Sequence, residues 1–140
     1  MLDNVLAPAR SRRADPAARD RATQLLEFVG AAQTAADPVR MLSEEQQWRI
    51  LLARSLMPAP QLLLAEDPSR SLDPDSASTI LDLLTKAHGW FGFTLLLTIG
   101  RMATASRCQR LLSLVDGSVV EDVLVRGDDG WTRGRIDRIG

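Results

Sequence analysis

The sequence predicts an α/β fold in which a helical N-terminal portion precedes a mainly parallel sheet with a C-terminal hairpin. Three observations carry this. Gln61-Leu62-Leu63-Leu64-Ala65 is an apolar run without polar alternation, as in a parallel strand covered on both faces. A second run, 93–98, follows an intervening helix signalled by Asp73-Pro74, which gives the order strand, helix, strand of a right-handed crossover. Asp116-Gly117 is a hairpin turn between apolar segments 111–115 and 118–121.

Composition bounds the function. The chain has 140 residues, 45% hydrophobic and 25% charged, with a net charge of −1. A chain of that size buries roughly two thirds of its unfolded surface, enough for a core without metal or disulfide staples. His88 and Cys108 are the only members of their types, which excludes a zinc cluster, a Cys/His catalytic pair and a disulfide framework within one chain. Near-neutral charge excludes nucleic acid as the main partner, because counterion release requires a basic surface. Of the 17 basic residues only Lys86 is a lysine, and the arginine excess reads as background composition. Residues 1–9 lack the apolar stretch of a signal peptide, and the most apolar window, 90–99, is too short to cross a bilayer. The expectation is a cytoplasmic chain that meets a membrane only through a partner.

The elements follow in order. Asp15-Pro16 caps a first helix whose apolar residues Ala18, Ala22, Leu25, Leu26 and Val29 recur at helical spacing, with Gly30 as its stop. Ser43 with Gln46 forms a capping box for a second helix running to about Leu56, apolar most of the way round and so buried on more than one side. Pro58 and Pro60 end it before the first strand. The Asp73-Pro74 helix buries Ile80, Leu81, Leu83 and Leu84 and is expected to end before Gly89, leaving Trp90 at the entrance of the second strand. A short helix at 102–107 is expected before the hairpin, and a loosely held tail with a loop at 127–130 after it. The expected parts are a helical subdomain at 1–58, an α/β portion at 59–122 and a tail at 123–140.

Glu66 and Asp67, at the C-terminal end of the first strand, are the most informative pair. Ligand sites of open α/β sheets lie at that end, and adjacent carboxylates there suit a magnesium ion or a polarised water. The same pair before Pro68 also reads as the start of a solvated loop. Arg10, Arg12 and Arg13 form a basic cluster that reads as a solvated segment, Trp48 reads as core, and Cys108 as a buried or half-buried thiol.

These residues carry a resemblance. Leu42-Ser43-Glu44-Glu45-Gln46-Gln47 resembles the signature L-S-G-G-Q-Q of the ATPase domain of ATP-binding cassette (ABC) transporters. Leu62 to Pro68 resembles the Walker B strand, Ser71-Leu72-Asp73 the D-loop, 93–98 the strand before the switch histidine, and 111–122 the closing hairpin. Asp3-Asn4-Val5 and Leu26-Glu27-Phe28-Val29-Gly30 resemble the helical subdomain of exporter and lipoprotein-release ATPases. The resemblance implies a partial P-loop NTPase fold, ATP and Mg2+ as ligands, and an ABC permease or a second ATP-binding subunit as partners. It places Ser43, Gln46 and Asp73 at nucleotide-facing positions, Glu66 at the magnesium position and Asp67 at the general-base position.

Each motif departs from the family pattern. No G-x-x-x-x-G-K-[ST] loop is present, and Lys86 has no glycine-rich loop before it. Glu44 and Glu45 replace both signature glycines, the acidic pair runs Glu-Asp instead of Asp-Glu, and Ile99 stands at the switch-histidine position. The sequence therefore reads as a truncated, degenerate ATP-binding subunit, deficient in ATP binding and hydrolysis alone. The alternative is a non-catalytic module that docks on a full ABC subunit or permease. In the family the phosphate-loop strand lies between 93–98 and 111–115. Without it these strands either close up, recruit a partner or leave aggregation-prone edges.

Overall fold

Among the described residues, helices and a two-stranded parallel sheet build one unit, 1–100, and a three-stranded antiparallel sheet builds another, 101–140. The computed structural model describes residues 2–12, 15–34, 36–100, 105, 107–126 and 130–133. The first unit runs α1 (Leu2–Leu6), α2 (Pro16–Phe28), α3 (Glu44–Leu56), β1 (Leu62–Glu66), α4 (Pro74–Phe91) and β2 (Thr94–Thr98), with short 3-10 turns between the early helices.

The caps form as their sequences demand. Asp15 accepts from the Ala17 N–H at 3.0 Å. Ser43 Oγ accepts from Gln46 N at 3.2 Å while Gln46 Oε1 accepts from Ser43 N at 2.9 Å, so both halves of the capping box are made. Asp73 Oδ1 accepts from Asp75 N and Ser76 N at 3.1 and 3.0 Å. Gly30 takes φ +69° just beyond α2, where a side chain would be strained.

Helix α1 is an element that the sequence did not announce. Its Val5 and Leu6 are fully buried in the same core as Leu25 and Leu26 of α2, Val29 just beyond it, and Ala53 and Leu56 of α3. Helix α4 also differs from expectation, because it runs through Gly89 and ends at Gly92 with φ +72°. A glycine with ordinary helical backbone costs only about 1 kcal/mol, so it is no terminator here. Trp90 therefore stands on the last turn of α4, 75% exposed, rather than at a strand entrance. The Phe28 ring lies 6.4 Å from that of Trp90 and 5.0 Å, edge-on, from Phe91, and Lys86 Nζ sits 5.2 Å from the Phe28 centroid.

Strands β1 and β2 pair in parallel, Leu62 with Thr94 through Glu66 with Thr98. The expectation that both faces of this sheet are covered is corrected. Leu63 is buried, and Leu95 and Leu97 pack on the core, but on the other face Leu62, Leu64 and Leu96 are 53%, 67% and 53% exposed. Along a strand successive side chains alternate, so one face meets the helices and the other lies open. Helix α3 is likewise buried on less of its circumference than its composition suggests, with Leu51 exposed.

In the second unit β3 (Arg110–Val115), β4 (Ser118–Arg126) and β5 (Gly130–Arg133) form an antiparallel meander in the order β3-β4-β5. Asp116 and Gly117 take φ +48° and +77°, the left-handed pair of a type I′ hairpin turn. Strand β4 continues five residues beyond the expected Glu121, and β5 pairs with it, where the sequence suggested a loosely held tail. Arg110 makes a two-pronged bond to Asp122, Nε to Oδ1 at 2.8 Å and Nη2 to Oδ2 at 2.7 Å, across the diagonal of the ladder. The anticipated helix at 102–107 and loop at 127–130 lie largely outside the described residues. Among the described residues β2 and β3 belong to separate sheets.

Among the described residues Phe93 is the largest fully buried side chain, and it stands just before β2. Phe93→Ala is expected to lose about 3–5 kcal/mol, read as a fall in the urea midpoint at constant slope.

Candidate functional site

Two places concentrate the candidate residues: the start of α3 and the C-terminal end of β1. At the first, the sequence positions Ser43 and Gln46 in the capping box, so each side chain already bonds the other's backbone N–H. Glu44 is exposed in the first turn beside them. Glu45 is not free in solvent. Its Oε1 accepts from Arg49 Nε at 3.0 Å and Nη2 at 2.7 Å, and its Oε2 accepts from the Ser76 hydroxyl at 3.1 Å.

Arg49 extends this network by donating Nη1 to the Val29 carbonyl at 2.6 Å, the C-cap of α2. One carboxylate thus joins the first turn of α3 to the first turn of α4, and its arginine ties both to the end of α2. Arg21 does the reciprocal service, donating Nε to Met57 O at 3.1 Å and Nη2 to Leu56 O at 3.2 Å at the C-terminus of α3. A guanidinium at each helix C-terminus satisfies carbonyls that the helix leaves unpaired and suits the negative end of its dipole. The arginines that composition set aside as background therefore include two with defined partners. The i,i+4 spacing of Glu45 and Arg49 is the signal that reveals one of them. Nothing in the sequence reveals Val29 O or Ser76 as partners.

At the second place Glu66 is exposed opposite Thr98 on the open face of the sheet. Asp67 turns the chain with φ +31°, a left-handed conformation that aspartate tolerates better than most side chains. Its N–H donates to both the carbonyl and the hydroxyl of Thr98, at 3.1 and 3.0 Å. Its Oδ1 accepts from the buried Ser69 hydroxyl at 2.9 Å. Gly100 completes the arrangement. A Cβ there would lie 2.6 Å from Asp67 Oδ2, so only a residue without a side chain leaves that carboxylate where it is. Adjacent in sequence, the two acids are thus separated in environment, one on the open face and one folded into the turn. Among the described residues no group of three His, Cys, Asp or Glu side chains comes together as a metal cluster.

Asp73 caps α4, and the Ser76 backbone N–H above all holds its carboxyl below the ordinary 3.8. His88, in the last turn of α4, places Nδ1 2.6 Å from the Phe93 carbonyl and its ring edge-on to Phe93, a structural position at the end of the helix. Cys108 is half-buried, and burial pushes its thiol up from 9.0. The side chains of Arg10 and Arg12, and all of Arg13, lie outside the described residues.

Two outcomes are expected. Glu45→Gly removes the ion pair and hydroxyl contact and adds a glycine to a helix, lowering stability by about 1–2 kcal/mol in urea unfolding. Unchanged stability would show the network to be idle. For Asp73 the folded carboxyl binds its proton less readily than the unfolded one. Its contribution is present above the unfolded value and is lost as pH falls through the lower folded value. Asp73→Asn is therefore expected to flatten the acid limb of the stability curve below about pH 4, measured by circular dichroism.

No protein-family model matches the chain. It is 42% identical over 112 residues to the phosphonates import ATP-binding protein PhnC of Bordetella parapertussis, covering 79% of this chain and 44% of that protein. It is 37% identical over 121 residues to the lipoprotein-releasing system ATP-binding protein LolD 2 of Rhodospirillum rubrum, covering 85% of this chain and 52% of that protein. Among solved structures it is similar to the dimeric post-hydrolysis ATP-binding cassette MJ0796 bound to ADP and Pi. That match has TM-score 0.66 and 30% identity over 78% of this chain and 47% of that one. A nucleotide-free ATP-binding cassette from an ABC transporter, at TM-score 0.79 and 18% identity over 89% and 55%, shares the fold. The chain spans about half the length of the curated relatives it matches. By sequence the chain matches part of the ATP-binding proteins of ABC transporters, and its fold is part of their P-loop NTPase cassette.

Proposed function

We propose that this chain is a degenerate ATP-binding subunit that does not bind or hydrolyse ATP on its own. The observation that carries the reading is the start of α3, where Glu45 is engaged by Arg49 and Ser76. A helix start binds phosphate through free backbone N–H groups and a positive dipole end. Here the Ser43 and Gln46 side chains are committed to the capping box, and two carboxylates occupy the first turn. A carboxylate about 5 Å from a phosphate charge opposes it by roughly 3 kcal/mol at an effective dielectric of 20. That exceeds the 0.3–1 kcal/mol or so by which each acid suits the helix dipole.

The β1 end supports the same reading. Magnesium prefers octahedral oxygen ligands held by one or two carboxylates together with substrate phosphates. Glu66 is exposed and Asp67 is turned into its own Ser69 bond, so the pair does not fit a shared magnesium-nucleotide site. Asp67 at the general-base position is one methylene shorter than glutamate, and a misplacement of about 1 Å can lower a rate on the order of a hundredfold. Asp73 at the D-loop position serves as the cap of α4. The chain acts as a cytoplasmic component that reaches the membrane through a permease or a second ATP-binding subunit. Among the described residues no helix is long and apolar enough to cross a bilayer.

A second reading, a non-catalytic docking module for a full ABC subunit or permease, is favoured by the continuous core beside altered motifs. Calorimetric titration of the purified chain with ATP and Mg2+ separates the outcomes. No saturable heat is expected at nucleotide concentrations up to about 1 mM, weaker than about −4 kcal/mol of binding. Micromolar affinity would overturn the proposal.

A further inference from the structure

We infer that the aromatic group of Phe28, Trp90 and Phe91, with Lys86 beside it, is a site that inserts into the surface of a phospholipid bilayer. Such contact is direct, whereas the proposed function brings the chain to the membrane through a partner, and it holds whether or not the chain binds nucleotide.

The chain has three tryptophans, three phenylalanines and no tyrosine, and three of those rings meet at this one place. Phe28 roots the group, packed against the core at the end of α2. Trp90 and Phe91 close the last turn of α4 and are 75% and 37% exposed. A Cβ built on Gly89 or on Gly92 meets nothing within 4 Å, so the backbone on either side of the two rings borders open space.

Charge and area together say what these rings meet. Lys86 is the only lysine among 17 basic residues. It stands one turn before Trp90 on the same stripe of α4, with its ammonium 5.2 Å from the Phe28 ring centroid. A tryptophan with a lysine whose stem runs along apolar surface is suited to a bilayer interface, where the ring enters the acyl boundary and the ammonium meets phosphate. Glu27 and Asp82 are exposed on the same two helices, so this is no basic patch with a long-range pull. The attraction acts at contact range on the phosphate that zwitterionic and anionic phospholipids share. An aromatic side chain offers about 150–250 Å2, so Trp90 and Phe91 at these exposures supply no more than about 300 Å2, against roughly 800 Å2 on each side of a stable protein interface. A bilayer needs no preformed partner surface, and a few inserted rings with a phosphate contact give reversible binding. Among the described residues no helix is long and apolar enough to cross a bilayer, so the contact is peripheral.

The test pellets the full chain with vesicles of phosphatidylcholine, alone and with about 30% phosphatidylglycerol, at about 2 mM lipid. Binding to both is expected, within about threefold of each other, and it is expected to persist at about 0.5 M salt. Trp90→Ser is expected to weaken binding at least about tenfold and Lys86→Glu about threefold, with the melting temperature of each variant alone within about 2 °C of the parent. Brominated phosphatidylcholine is expected to quench part of the tryptophan fluorescence of the parent and none of that of Trp90→Ser. Absence of pelleting overturns the inference, as does pelleting that Trp90→Ser leaves unchanged or that is lost at high salt. A large fall in the melting temperature of Trp90→Ser overturns it too, because the ring would then belong to the packing of the fold. So does a lipid-free dimer that Trp90→Ser splits, which would make a second copy the occupant. Because the readout is lipid binding and not nucleotide affinity, its failure is distinct from failure of the proposed function.

Discussion

The bonds radiating from the Glu45 carboxylate hold together what the rest of the first unit depends on. A helix start, a second helix start and a helix end converge there, through Arg49, Ser76 and Val29. Each partner on its own contributes little, since half-exposed ion pairs are worth at most about 1 kcal/mol. Their joint effect is geometric. With Arg21 reaching back to Leu56 and Met57, the α2–α3 pair is clamped at both ends, and α4 is drawn to the same junction. The buried leucines between these helices then pack in one arrangement.

The same junction sets the chemistry. A helix start with unoccupied N–H groups is an anion site, and one lined by carboxylates is not. Glu44 and Glu45 place two carboxylates in the first turn of α3, and Glu45 is bonded within the chain through Arg49 and Ser76. At the other end of the unit the turn at Asp67 is also bonded within the chain, with Thr98 accepting from its N–H, Ser69 donating to its carboxylate and Gly100 leaving that carboxylate room. At both places polar side chains bond within the chain beside a continuous core.

Much of the fold was legible because caps and turns are local. Asp15, the Ser43–Gln46 box, Asp73-Pro74 and Asp116-Gly117 each announce a geometry within four residues, and each is found. What was hidden depends on distant partners or on degenerate signals. Gly89 and Gly92 look alike in sequence, and only the backbone sign of Gly92 makes it the stop. The run Leu62-Leu63-Leu64 reads the same whether one face or two are covered, so exposure of Leu64 could not be read from it. Arg21 and Arg49 find backbone carbonyls more than 15 residues away, and no local pattern encodes that. At the candidate site the residue identities were readable, but their mutual contacts, the Ser76 hydroxyl donating to Glu45 and the close approach of Gly100 to the Asp67 carboxylate, required the fold.

The central claim is that the start of α3 is closed to phosphate by its own side chains. The most direct measurement follows the backbone amide resonances of Glu44, Glu45, Gln46 and Gln47 by nuclear magnetic resonance as ATP with Mg2+ is added to the full chain. No saturable shift is expected at these amides if the start of α3 is closed to phosphate. A saturable shift confined to them, with the Arg49 guanidinium resonances moving in step, would contradict it.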